Sequence, residues 1–280
     1  MTEQERQEQQ YSEALTATAA ATLVLMATQK NHYKKSWQEI LKEISKIYQN
    51  DWVFEDFMKF GRKDAYDKKI EKVITDLYKS NNKIIIDTLT AEYVEKSAFQ
   101  IKVLNEQSGL ILIQKKFDVK TAINKPNGGV YWFDRLGKNR NDTLYSLSNA
   151  IQIGLHNGDS YSTTTKKLQD LFGEDLIKND LIARTETKRV ISTAQTDVCD
   201  AVSDKVEMVK TWRTMQDGRV RAGTKRSKGN HVKMNGKTIP YDQDFITSMG
   251  SKGKAPHQLT GPKSAWDECN CRCILLVKVK

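Results

Sequence analysis

The chain has 280 residues, of which 38% are hydrophobic and 29% are charged. This length suffices for one large or two ordinary domains, whose cores need no disulfide bonds. The apolar run 14–27 is shorter than the roughly 20 residues that a membrane-spanning helix needs. The polar start MTEQERQEQQ has no signal-peptide leader, and four cysteines suit a reducing cytoplasm. We therefore expect neither a membrane span nor secretion through a signal peptide.

The net charge of +10 is confined to the C-terminal part of the chain. Residues 205–280 contain 16 Lys and Arg against 6 Asp and Glu, whereas residues 1–204 contain 29 of each. Basic residues are densest from 213 to 237, namely Arg213, Arg219, Arg221, Lys225, Arg226, Lys228, Lys233 and Lys237. This confinement predicts a surface that binds a polyanion, with DNA or RNA the first candidates. The alternative is a solvated, glycine-rich loop, because Lys and Arg are mostly exposed in any protein.

The N-terminal part predicts long helices, because no proline precedes Pro126. The run 14–27 predicts a buried packing helix, or one whose small side chains associate with a second copy or a ring-shaped partner. Apolar residues repeat at helical spacing over 37–48 and 70–78, and Asn81-Asn82 predicts a break before a third element. Between the first two stripes, an aromatic cluster predicts the core of a helix corner: Trp52, Phe54, Phe57, Met58 and Phe60.

Turn residues divide the middle of the chain. The KPNGG stretch at 125–129 predicts a domain or subdomain boundary. Two short helices are predicted at 143–155 and 163–172, the second ended by Gly173 in a left-handed cap. The segment 175–204 contains neither Gly nor Pro and predicts one long helix.

Beyond that helix the apolar pattern becomes that of strands. Residues 209–215 alternate, 238–240 form a short extended piece, and 274–279 form a β-rich run. The predicted fold class is α+β: a long, mainly helical N-terminal region, then a small basic α+β module. The expected division is an elongated docking region, a helical connector and the module, at 1–125, 126–174 and 175–280.

Three closely spaced cysteines lie near the C-terminus: Cys269, Cys271 and Cys273. With His231 or His257 as a further ligand they are candidates for a zinc site. Alternate residues of a regular strand lie about 6.6 Å apart, whereas two thiolates on one zinc lie about 3.8 Å apart. All three thiols can share an ion only if Glu268 to Asn270 turns. The spacing thus leaves two interpretations, zinc or metal-free thiols, and favours the one without a cofactor.

Short motifs follow one another from residue 181 to residue 274. They are Ala183-Arg184-Thr185-Glu186-Thr187, Lys210-Thr211-Trp212, Asp217-x-Arg219-x-Arg221, His231 with Met234-Asn235-Gly236, Phe245, and Asn270-Cys271-Arg272-Cys273. In this order they resemble the phage Mu protein F-like minor head proteins, also called head morphogenesis proteins. The residues that carry the resemblance are Arg184, Glu186, Trp212, Asp217, Arg219, Arg221, His231, Gly236, Cys271 and Cys273.

The resemblance implies a low-copy protein assembled inside the head of a double-stranded DNA phage. It further implies association with the portal protein and the capsid interior, contact with packaged DNA, and a cytoplasmic stage in the host during assembly. Self-association through the N-terminal helices is a further expectation from the run 14–27. The chain departs from the family pattern at 223–230, which separates the Asp-x-Arg-x-Arg motif from His231. This insertion is also interpretable as a DNA-contacting loop.

The motif residues have structural interpretations as well. Asp217, between Arg213 and Arg219, can hold a guanidinium fork. Arg219 and Arg221 alternate, so on an extended segment they project to one face and can straddle a phosphate backbone. His231 is expected to anchor a tight Asn-Gly turn.

A metal-dependent nuclease or toxin-like enzyme acting on nucleic acid is the alternative function, since suitable residue types occur at Asp217, His231, Asp242, Asp244 and Glu268. Their spacing matches no catalytic motif, and no nucleotide-binding glycine loop is present. We therefore expect no catalytic residues. A structural spacer that binds only protein is a third class.

Overall fold

The computed structural model describes residues 3–49, 62–112, 117–127, 129–224 and 227–280. Its helices are α1 (Glu3–Gln49), α2 (Arg62–Ser108), α3 (Val119–Ile123), α4 (Trp132–His156), α5 (Tyr161–Asp200) and α6 (Ser264–Glu268), with a 3-10 turn at Val232–Met234. Its strands are β1 (Met208–Arg213), β2 (Ala222–Thr224), β3 (Ser227–Asn230), β4 (Thr238–Pro240), β5 (Phe245–Ile246), β6 (Lys252–Gly253), β7 (Leu259–Thr260) and β8 (Ile274–Val279). Long helices followed by a small strand-rich part confirm the predicted α+β class. The aromatic cluster at 52–60 lies outside the described residues.

Two helix breaks predicted from the sequence are wrong. Asn81-Asn82 lie within α2, and the side chain of Asn81 is fully buried there. Gly173 lies inside α5, which joins the two predicted segments into one helix of 40 residues. The preferences of single Asn and Gly residues amount to about 1 kcal/mol or less, and tertiary packing of a long helix overrides them.

Contacts divide the chain into two compact units. One consists of Met1–Leu23, Ile86–Trp132 and Ala183–Lys280, and the other of Val24–Ile85 and Phe133–Ile182. Each unit takes pieces from several parts of the sequence, because the long helices α1, α2 and α5 contribute to both. The division at 1–125, 126–174 and 175–280 stays a prediction about sequence segments.

The second unit, 24–85 with 133–182, has a buried polar network. The carboxylate of Asp175 accepts hydrogen bonds from the hydroxyls of Tyr33 at 2.6 Å and Tyr78 at 2.5 Å. The Asn179 amide donates to the Tyr78 hydroxyl oxygen at 3.0 Å. Burial raises the pKa of Asp175, and the tyrosine hydrogen bonds only partly oppose this. These bonds explain how a carboxyl group is accommodated among apolar helix stripes.

The first unit contains the sheets. Strand β1 is central in the order β4-β1-β8 and pairs antiparallel with β8 from Met208↔Val279 to Arg213↔Ile274. Its alternate side chains, Met208, Lys210 and Trp212, are buried, as its sequence period predicts. The short strands β5, β6 and β7 form a second sheet, and β2 pairs with β3. This core also contains Val198 and Cys199 of α5 and Val202 just after it.

No helix within the described ranges is long and apolar enough to cross a membrane.

Gly173→Ala tests the continuity of α5. Gly173 is exposed, and an added Cβ would meet no atom within 4 Å. We expect the substitution to raise the free energy of unfolding by up to about 1 kcal/mol, because alanine favours a helix interior. Denaturant unfolding monitored by circular dichroism measures this.

Gly154→Ala, inside α4, is the matched control. Its added Cβ would lie 2.6 Å from Oγ1 of Thr164, so this variant should gain no stability. Destabilisation by Gly173→Ala would instead support a left-handed helix cap at that residue.

Candidate functional site

The side chains of His231, Cys271 and Cys273 meet in the first unit and form what we call the His-Cys cluster. Nδ1 of His231 lies 3.5 Å from Sγ of Cys271 and 3.5 Å from Sγ of Cys273. All three ligand atoms lie within 4.8 Å of one another. The three side chains are buried, and all four cysteines of the chain are free thiols. Among the described residues, this is the sole group of three or more side chains placed to hold a metal ion.

A turn before β8 brings the two cysteines of the cluster together. Asn270 has a left-handed φ of 55°, and the N–H of Cys271 donates to the carbonyl of Glu268 at 3.0 Å. The N–H of Cys273 donates to Sγ of Cys271 at 3.4 Å. Cys271 and Cys273 are therefore not held at the separation of alternate residues in a regular strand. Cys269 is exposed and lies outside the cluster.

His231 is a buried member of the cluster, whereas the sequence predicted a turn anchor. Its Nε2 lies 3.3 Å from Oδ1 of Asp267, whose Oδ2 accepts from the Thr247 hydroxyl at 2.7 Å. The ring of Trp212 packs edge-on against His231, with 5.5 Å between ring centroids. No sequence motif indicated Asp267 as a site residue, because only the fold brings it next to His231.

The predicted Asn-Gly turn forms just after His231, whose backbone carbonyl accepts the N–H of Met234 at 2.9 Å. The N–H of Lys237 donates to the carbonyl of Met234 at 3.0 Å. Asn235 has φ −60° and ψ 123°, and Gly236 has φ 79°. These angles define a type II turn, which requires a positive φ at its third residue and so favours glycine there.

Opposing influences set the protonation of the cluster. Burial is the largest influence on His231 and disfavours its charged form, but hydrogen bonds to Asp267 and Cys271 outweigh it and raise the pKa to about 9. A hydrogen bond from Cys273, aided by the two nearby histidines, lowers the pKa of Cys271 well below its ordinary value against the effect of burial. The same bond, together with burial, raises the pKa of Cys273.

His257 lies near the cluster, in the loop between β6 and β7. Its side chain is 3% exposed, and its backbone has a left-handed φ of 67°. Neither ring nitrogen meets the distance and angle of a hydrogen bond to any residue that the structure describes. The ring is nevertheless close enough to Cys271 to lower the pKa of that thiol, both by charge and by a side-chain interaction.

Arginines connect the surrounding loops. The guanidinium of Arg221 donates to the backbone carbonyls of Asp267 and Cys269. Arg272 provides the fork on Asp217, with Nη1 2.7 Å from Oδ2 and Nη2 bonded to Oδ1. This hydrogen-bonded pair lowers the pKa of Asp217 to about 2. The sequence predicted that Arg213 or Arg219 forms the fork on Asp217, and this is wrong for the main partner. Nη2 of Arg219 does lie 3.7 Å from Oδ2 of Asp217.

Arg219 and Arg221 do not lie on one extended segment. The N–H of Val220 donates to the carbonyl of Asp217 at 3.1 Å, so Arg219 lies inside a turn and Arg221 follows it. The expectation that both straddle a phosphate backbone is wrong in its geometry, because Arg221 is occupied by two carbonyls.

The motif on α5 is internal to the first unit. Glu186 is buried and accepts from Nε of Arg189 at 2.6 Å, and Arg189 donates onward to the carbonyls of Ala122 at 2.9 Å and Ile123 at 2.7 Å. Arg184 is half-buried. The hydroxyl of Thr185 accepts from the N–H of Asn270 at 3.1 Å, which joins the helix to the cysteine turn.

The basic residues predicted to bind nucleic acid fall into three groups. Arg219, Lys228, Lys233 and Lys237 are exposed. Arg213 and Arg221 are half-buried, and Arg221 is held as described above. Lys225 and Arg226 lie outside the described residues.

Comparison with known proteins gives a family match and a similar minor head protein. Residues 146–276 match the family described as Phage Mu protein F like protein. The chain is 28% identical over 247 residues to Minor head protein GP7 of Bacillus phage SPP1, covering 85% of this chain and 77% of the relative. The match of residues 146–276 to this family confirms the resemblance seen in the motifs.

A second relative is named as an enzyme. The chain is 28% identical over 156 residues to NAD(+)--arginine ADP-ribosyltransferase EFV of Enterococcus faecalis. That similarity covers 55% of this chain but 30% of the relative. No solved structure matches the chain.

Lys210, in the Lys210-Thr211-Trp212 motif, should make the stability of the fold depend on pH. Its side chain is fully buried, with Nζ 5.1 Å from the ring centroid of Tyr241 and 5.5 Å from that of Phe245. Burial lowers its pKa to about 8. Above pH 8 the folded chain loses this proton while the unfolded chain keeps it up to about pH 10.4, so stability should rise with pH across that window.

Lys210→Met should remove this rise and increase the free energy of unfolding at pH 7 by about 1 to 3 kcal/mol, since it removes a desolvated charge. The two aromatic contacts oppose the gain by about 1 kcal/mol. Urea unfolding at pH 7 and pH 9.5 measures both effects, with exposed Lys205→Met as the control. A destabilised Lys210→Met variant at pH 7 would contradict the prediction.

Proposed function

We propose that this protein is a minor head protein of a double-stranded DNA phage. It lies inside the capsid, associates with the portal and contacts packaged DNA, and it acts in head assembly, DNA delivery or both. The observation that carries the proposal is the similarity to a minor head protein across 85% of this chain. The match of residues 146–276 to the Phage Mu protein F like family supports it further.

The DNA contact is supported by charge. The excess of basic residues lies in 205–280, and Lys228, Lys233 and Lys237 are exposed there. Flexible lysines at a surface neutralise phosphates without reading bases. Contact with packaged DNA of any sequence needs this kind of binding.

The protein partner is assigned to the long N-terminal helices. Leu23 and Val24 on α1 are 65% and 67% exposed, and Val94 on α2 is 50% exposed. Exposed apolar side chains on a long helix can pack against another protein. We assign the exposed apolar residues of α1 to contact with the portal or the capsid interior.

The proposed role does not require the protein to catalyse a reaction. Two carboxylates of the motifs, Asp217 and Glu186, neutralise arginines. Glu268, whose pKa burial raises to about 8, accepts the N–H of Leu259. Incubation with labelled NAD⁺ and an arginine-containing acceptor tests the activity named for the Enterococcus relative, and we expect no transfer of label.

DNA binding should weaken steeply with salt. If six or more phosphates are engaged, affinity for duplex DNA should fall about a thousandfold or more between 50 and 200 mM salt. Combining Lys228→Gln, Lys233→Gln and Lys237→Gln should flatten the slope of log K against log salt by up to about three units. Fluorescence anisotropy measures the slopes.

The matched control combines Lys34→Gln, Lys35→Gln and Lys42→Gln, all exposed on α1. It removes the same charge from the neutral part of the chain and should leave the slope unchanged. Salt-independent binding, or equal effects of the two triple variants, would count against a C-terminal DNA surface.

Incorporation into proheads should depend on the N-terminal helices. The full chain is required, because a fragment lacking residues 1–125 would lose residues 1–23 and 86–125 of the first unit. Leu23→Ser with Val24→Ser should reduce the copies per prohead while leaving DNA affinity unchanged. The variant that combines Lys228→Gln, Lys233→Gln and Lys237→Gln should weaken DNA binding and leave the number of copies per prohead unchanged.

Ile177→Ser is the control for exposed apolar area, since Ile177 is 66% exposed on α5, outside 1–125. Quantitative mass spectrometry of purified proheads gives the copy number. Normal incorporation of the Leu23 and Val24 variant would contradict the assigned docking surface.

A further inference from the structure

We propose that His231, His257, Cys271 and Cys273 bind one Zn²⁺ ion in a closed structural site. The inference rests on the geometry of the His-Cys cluster and does not depend on the proposed function. Cys269, which the sequence placed among the candidate ligands, is not part of this site.

The cluster has the dimensions of a tetrahedral zinc site. With Zn–S bonds of about 2.3 Å and Zn–N bonds of about 2.0 Å, a nitrogen and a sulfur ligand lie about 3.5 Å apart. The two distances from Nδ1 of His231 to the sulfurs of Cys271 and Cys273 are both 3.5 Å. Both distances thus equal that between a nitrogen and a sulfur bound to the same zinc ion.

Asp267 supplies the support that a histidine ligand needs. Metal-bound imidazoles donate their second N–H to a carboxylate or carbonyl, which fixes the tautomer and the ring orientation. Nε2 of His231 faces Oδ1 of Asp267 at 3.3 Å, and Asp267 is itself held by Thr247. This leaves Nδ1 directed at the two thiols with its lone pair free for a metal.

We assign the fourth ligand to His257, whose ring acts on the Cys271 thiol. Its nitrogens lie outside the group of ligand atoms within 4.8 Å of one another, so the side chain would have to turn toward the ion. A buried polar atom without a partner costs about 1 to 3 kcal/mol, and native cores rarely keep one. His257 has two such nitrogens within the part of the chain that the structure describes, on a backbone held at φ 67°. Its loop is fixed to α5 by the Ser192 hydroxyl, which donates to the carbonyl of Pro256 at 2.6 Å. A metal bond would satisfy one ring nitrogen and account for the strained backbone.

Charge and ligand type select the ion. Two thiolates and two neutral imidazoles give the site a charge that cancels that of a divalent cation, which suits a buried position. Two sulfur and two nitrogen ligands in a tetrahedron favour zinc. Four protein ligands leave no open position, so the ion is structural and not catalytic. It would join three segments of the first unit, which contain residues 231, 257 and 271–273.

A metal analysis of the full chain tests the site. Protein purified under reducing conditions should contain about one zinc per chain by mass spectrometry of the metal. Cys271→Ser and Cys273→Ser should each lose it, whereas Cys269→Ser, the matched control, should retain it. Zinc loss by Cys269→Ser, or wild-type protein that takes up no zinc on reconstitution, would overturn the proposal.

A cobalt titration keeps the test independent of variants that fail to fold. Wild-type protein stripped by a chelator should bind one equivalent of Co²⁺, with thiolate-to-cobalt charge transfer and the strong d–d bands of four-coordinate cobalt. His257→Ala should change the d–d bands, because water replaces a ligand. Asp267→Asn should retain the spectrum but weaken zinc binding about 10- to 100-fold in chelator competition.

Two results would overturn the assignment of these roles. A cobalt spectrum that lacks thiolate charge transfer would exclude the cysteines as ligands. A spectrum of His257→Ala identical to that of the wild type would exclude the fourth ligand, and thereby the closed site.

Discussion

The contact of His231 with Cys271 and Cys273 is the constraint on which the C-terminal part of the protein depends. The strands there have two to six residues, and such short strands bury too little apolar surface to fix long loops by themselves. The cluster fixes the chain before β8 against the loop that contains His231. Thr185 then joins the cysteine turn to α5, and Arg221 joins it to the segment after β1.

The motifs of the family therefore describe one packed unit rather than a surface. Trp212, His231, Cys271 and Cys273 are buried, and Asp217 is neutralised by Arg272. Glu186 is similarly neutralised inside the core. The exposed lysines Lys228 and Lys233 lie outside the motifs, and Arg219 is the exposed arginine within them. The proposed polyanion surface therefore rests largely on residues other than those that hold the fold together.

The long helices have a second consequence for the whole chain. Since α1, α2 and α5 contribute to both compact units, the N-terminal segments cannot be removed without taking part of a core with them. Arg189 illustrates this dependence, because its guanidinium is satisfied by carbonyls at Ala122 and Ile123. Function therefore has to be assigned through surface residues and not through fragments.

The sequence by itself determined the features that arise from local periodicity and composition. Alternation predicted β1, the β-rich run predicted β8, apolar spacing predicted the long helices, and the charge count located the basic part. Tertiary structure alone decided which groups meet. It placed Arg272 on Asp217, Asp267 behind His231 and His257 near Cys271, and it carried α2 through Asn81 and α5 through Gly173. These outcomes depend on burial and on contacts between residues distant in sequence, and no local sequence pattern indicates either of them.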